Sequence, residues 1–140
     1  MANPYYKIEA KTAQHKPEAV AWYPMAEFVM TMLLSQTNAH ILHLKSRSYS
    51  EHKALQAYYE GIDSLIDDYV ETYQGIHGLI EDYSKREVQT PDNPLEYMIS
   101  LSEYLLNGRP HMPQQTELCN ILDEITALID RTIYKLKFLE

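Results

Sequence analysis

Apolar residues recur every three to four positions in four separate stretches of this chain, and the two-residue alternation of a half-buried strand is absent throughout. That periodicity limits the chain to helices. The first stretch places Met25, Phe28, Val29, Met32, Gln36, Ala39 and His43 at helical spacing, with Pro24 suited to a first turn, and it runs to about Lys45. The second opens at Ser48, whose hydroxyl has a capping-box partner three residues on in Glu51. It carries Leu55, Tyr59, Ile62, Ile66, Val70 and Tyr73 on one stripe before ending near Gly75 and Gly78. Gly61 weakens this helix without breaking it.

The third helix is predicted to open at Asn93 as cap with Pro94 in its first turn, and to close at Gly108 after Leu95, Met98, Ile99, Ser102, Leu105 and Leu106. The fourth follows Arg109-Pro110-His111-Met112-Pro113 and keeps Leu118, Leu122, Ile125, Ile129, Ile133 and Leu136 in register almost to the C-terminus. Between the second and third lies a mixed stretch ending in Thr90-Pro91-Asp92-Asn93-Pro94, which reads as a partly helical crossover. Four amphipathic helices with one long central connection predict an all-α four-helix bundle of the ferritin-like kind, with the crossover between helices 2 and 3.

A chain of 140 residues can bury a core as a single domain, taken here as residues 1–140 with residues 1–20 as an extended N-terminal arm. The arm mixes Lys7, Lys11 and Lys16 with Glu9 and Glu18 and is only weakly basic. Cys119 is the only cysteine, so no intrachain disulfide forms. The longest strongly apolar run, Phe28 to Leu34, is too short to cross a bilayer. The first residues lack a signal peptide's basic and apolar regions, and a cytoplasmic protein is expected. The formal net charge of −8 disfavours a phosphate backbone as partner and favours a cation, a protein or a second copy.

One face of helix 2 carries chemistry. His52, Gln56, Asp63, Asp67 and Glu71 fall within about 100° of arc beside the apolar stripe. Asp67 and Glu71 lie one turn apart and can grip one hard cation together, and histidine adds a ligand suited to iron or zinc. The same spacing also suits a solvated acidic face. His40 and His43, three apart near the end of helix 1, fit either ligands or hydrogen-bonded core histidines. His52 and Asp67 are separated by about 22 Å along the helix and cannot bind one ion within a single chain. A shared ion therefore requires two antiparallel copies of helix 2 in a two-fold dimer.

These residues resemble the starvation-induced mini-ferritins, the Dps family, whose ligands follow the pattern His, x11, His, x3, Asp, x10, Asp, x3, Glu. His40, His52, Asp67 and Glu71 stand at those spacings, and Gln56 stands where the family has its first Asp. The likeness covers roughly residues 24–75. It implies a ferritin-like fold, iron as the metal with zinc as the alternative, oxidation of ferrous iron, and sites between two-fold-related subunits of a dimer or larger homo-oligomer. The family's His-Trp pair at the end of helix 1 is absent, and His43-Leu44 serves in its place if the following loop is three residues shorter. Both His40 and His43 are therefore carried as candidates, with His43 preferred. The signature Glu-x-x-His of a di-iron centre within one bundle occurs nowhere.

A second resemblance, spanning most of the chain, is to a group of small phage proteins. It rests on His43, Ser48-Tyr49, His52, Tyr59, Asp63, Asp67, Glu71, Tyr73-Gln74-Gly75 and Asn120-Ile121-Leu122-Asp123-Glu124. It implies a phage origin. The competing expectation to metal binding is a non-catalytic virion component, or a factor that binds a host protein through its acidic surface.

Overall fold

The computed structural model describes residues 25–83, 87–89 and 91–140. The expected N-terminal arm and Pro24 lie outside them. Among the described residues the chain forms four α-helices and no strand: α1 (Met25–Lys45), α2 (Tyr49–His77), α3 (Pro94–Gly108) and α4 (Thr116–Phe138), with a short 3-10 turn at Arg109–His111.

The predicted helix starts have local causes. Ser48 Oγ accepts from the Glu51 N–H, and Asn93 Oδ1 accepts from the Glu96 N–H, so each satisfies a backbone donor that its helix cannot. The capping box at Ser48 is only half built, because the Ser48 N–H turns to Ser46 Oγ. At the other end α2 runs through Gly75 to His77 and stops at Gly78, within the expected Gly75–Gly78 stretch. There φ of +92° takes the chain into a region that favours glycine.

Long-range contacts give the direction of each helix. Ser35 on α1 meets Tyr58 on α2, and further toward the connecting loop His43 meets His52, so α1 and α2 are antiparallel. Ser50 near the start of α2 bonds the Leu139 carbonyl just beyond α4, and Gly61 lies against Leu128, so α2 and α4 are antiparallel too. Asn38 bonds Tyr97 and Lys45 pairs with Asp92, which sets the end of α1 beside the start of α3. Around the core the helices follow one another as α1, α2, α4 and α3.

With α1 pointing up, α2 and α3 both point down and α4 points up. The connection from Gly78 to Asn93 must then climb the length of α2, about 43 Å at 1.5 Å per residue. Sixteen helical residues would rise only about 24 Å, whereas extended chain covers about 3.3 Å per residue. A mostly extended connection meets that span, and the described residues between Gly78 and Asn93 carry no helix.

One core unites all four helices. Phe28, Met32, Leu55, Ile62, Met98, Leu118 and Ile125 are fully buried in it. Each contributes about 1.5–3 kcal/mol of apolar burial. The α2 stripe is turned slightly from its predicted position, with Tyr58 and Tyr69 at its centre and Tyr59, Val70 and Tyr73 on its flank. On α3, Ile99 and Leu106 were expected inside and stand exposed, while Tyr97 and Leu101 take the buried positions.

Candidate functional site

The short loop between α1 and α2 folds the end of one helix onto the start of the next, and this brings four rings together. His43 and His52 stack with centroids 3.5 Å apart. His40 stacks on Tyr59 at 4.2 Å, and His43 meets Tyr59 edge-on at 5.2 Å. His40 and His43 lie 5.8 Å apart. Sequence spacing nominated the three histidines separately. Their meeting depends on the antiparallel register of α1 and α2, which no local pattern encodes.

The stacked pair is locked reciprocally. His43 Nδ1 contacts the His52 carbonyl at 2.7 Å, and His52 Nδ1 contacts the His43 carbonyl at 3.0 Å. A carbonyl oxygen only accepts, so both rings carry their proton on Nδ1 and donate it. In the neutral ring this leaves Nε2 as the nitrogen with a free lone pair. A carbonyl on one nitrogen is also what fixes tautomer and orientation in histidines that ligate metals through the other. The three histidines differ in access: His43 is 7% exposed, His52 is partly buried and His40 is exposed.

The carboxylates of α2 continue down the same helix face. Asp63, Asp67 and Glu71 are all exposed, and among the described residues none of the three is engaged by a hydrogen bond or ion pair. Gln56 is committed elsewhere: its amide N–H donates to Glu60 at 2.8 Å, and its carbonyl accepts from Lys53 at 3.4 Å. Among the described residues no three His, Cys, Asp or Glu side chains of the single chain converge on one position. His52 thus sits with its neighbouring imidazoles, and Asp67 and Glu71 lie about four and about five turns away along α2.

Sequence reasoning missed a second polar group, deep between α1, α2 and α3. Ser35 and Asn38 are buried and hold the hydroxyls of Tyr58 and Tyr97 at 2.7 and 3.0 Å. Burial pushes the ionisation of both tyrosines above the ordinary phenol range, and their bonds to Ser35 and Asn38 oppose that only in part. Tyr69 is raised as well, chiefly by burial. Two polar residues one turn apart within the buried stripe of α1 were the available signal.

Fold and site together define an all-helical protein with an imidazole cluster at one helix junction and an acidic stripe running from it. No helix among the described residues is long and apolar enough to cross a membrane. The profile of one family, a family of unknown function (DUF5856), matches residues 43–136, about two thirds of the chain, and the chain belongs to that family. The match begins at His43 and takes in all of α2, α3 and most of α4. No curated protein and no solved structure matches the chain.

Proposed function

We propose that this protein is a ferritin-like four-helix bundle that binds a divalent transition-metal ion between two copies of itself. The observation that carries the reading is the reciprocal Nδ1–H to carbonyl bonding of His43 and His52, which orients both rings and leaves Nε2 free for a ligand. The up-down-down-up order of the helices with its end-to-end connection supports the ferritin-like part.

In this reading His52 and the exposed His40 supply nitrogen ligands from one copy, and Asp67 and Glu71 supply oxygen ligands from its twin. Buried His43 acts as the positioning residue behind them. A mixed nitrogen and oxygen set suits iron or zinc, and iron would bring the capacity to pass electrons to an oxidant. The acidic stripes of two copies repel one another at close range, so the pairing is coupled to cation binding.

Metal analysis of protein purified without chelator, together with its solution mass, tests this. Iron or zinc should accompany a dimer or larger assembly, and His52→Ala and Asp67→Ala should each lose the metal and shift the mass toward the monomer. Variants that keep the full metal content, or a mass indifferent to chelator and to added metal, would overturn the reading. His43→Phe, which keeps a ring in the stack but loses the bond to the His52 carbonyl, should weaken metal retention less than His52→Ala does.

A further inference from the structure

The hydrogen bonds of the buried group between α1, α2 and α3 leave complementary donors and acceptors unused. Ser35 Oγ has one proton and donates it to the Met32 carbonyl at 2.6 Å, so the 2.7 Å contact with Tyr58 runs from the Tyr58 O–H to Ser35. Asn38 Nδ2 donates to the Tyr97 hydroxyl at 3.0 Å. Unused are Asn38 Oδ1, which has no partner, the Tyr97 hydroxyl proton, and the remaining lone pairs on the Tyr58 oxygen. All four residues belong to the buried interior: Ser35 and Tyr58 are 0% exposed, Asn38 2% and Tyr97 9%.

Spacing along α1 says what fits. Ser35 and Asn38 are three residues apart on one face of α1, which sets the two hydroxyls they hold on neighbouring turns of that helix. Among the described residues no hydrogen bond joins the two hydroxyls directly, and a single water, with bonds of about 2.8 Å, is the smallest group that can bond to both. An amide oxygen left dry in such a place costs about 1–3 kcal/mol.

We propose that Asn38, Tyr58 and Tyr97, with Ser35 behind them, enclose one internal water molecule. It accepts from the Tyr97 O–H and donates to Asn38 Oδ1 and to the Tyr58 oxygen. Three bonds are the usual complement of a buried water. The site joins α1, α2 and α3 and is independent of the metal reading.

A crystal structure that resolves ordered solvent should show one fully occupied water within hydrogen-bonding distance of these three atoms. In solution, the Asn38 side-chain amide protons should show a magnetisation-transfer cross-peak to a long-lived water. Asn38→Leu, whose larger side chain fills the space, should abolish the water while keeping the helical circular dichroism. An empty space in the wild-type crystal, or an Asn38 amide turned to accept from Tyr97 with no solvent atom beside it, would overturn the proposal. The wild-type crystal decides the matter even if Asn38→Leu does not fold.

Discussion

Tyr58 and Tyr69 are both fully buried on the same face of α2, yet only Tyr58 has found a partner for its hydroxyl. It donates to Ser35, whereas the Tyr69 hydroxyl has none among the described residues. Tyr69→Phe should therefore stabilise the protein by up to about 1 kcal/mol, because a dry hydroxyl is removed and its ring packing against Phe28 is kept. Alkaline pH adds an independent check. The ionisation of Tyr69 is raised in the fold, so above pH ~10 the unfolded chain releases this proton and the native chain does not. Stability is fully present below the unfolded value and falls by at most about 1.4 kcal/mol per pH unit for each such tyrosine. Urea unfolding at neutral pH and at about pH 11 should find Tyr69→Phe ahead of wild type at both, with the larger gap at the higher pH. A variant that is weaker at neutral pH, or a gap that does not widen, would contradict the assignment. At this scale the sequence was legible in residue type and less so in pairing. His40, His43 and His52 could be nominated from spacing, but the bonds that lock His43 and His52 depend on how two helices fold back on each other.

Among the elements, α2 carries most of what is distinctive, and its two glycines and the Gly78 that caps it serve different ends. A Cβ on Gly75 would meet nothing within 4 Å, so Gly75→Ala should stabilise α2 by about 1 kcal/mol through helix propensity alone. Gly78 has just as much space but a φ of +92°, and Gly78→Ala should destabilise by about 1 kcal/mol or more. Thermal or urea unfolding of the pair should therefore give opposite signs, and equal signs would show that backbone conformation is not what separates them. Gly61 is the close-approach case, since a Cβ there would lie 3.2 Å from the Leu128 side chain. The four helices and the Ser48 and Asn93 caps were readable because caps and apolar period are local properties. The exact face of α2 was not: tyrosines at both 58 and 59 fit the period, and only packing against α4 and α1 chooses between them. The crossover was harder to read because its composition permits helix, while the distance it must span requires most of it to be extended.

At the scale of the molecule, the longest helix carries His52, Asp63, Asp67 and Glu71 on one side, with the exposed His40 of α1 stacked against its Tyr59. This distribution is why the functional reading is a shared site. Within one copy the two ligand groups stand about four to five helical turns apart, and only a second copy laid antiparallel brings them level. The proposed dimer is also the part least visible in a single sequence, because nothing in one chain records which surface would meet a twin. The end-to-end connection has another consequence. The two hairpins it joins, α1 with α2 and α3 with α4, are each closed by a short loop, yet α2 packs against α4 nearly as extensively as against its own hairpin partner α1. Neither half can hide its oily surface alone, so a nick near residue 88 should leave two fragments that are each poorly soluble when separated and that refold when mixed.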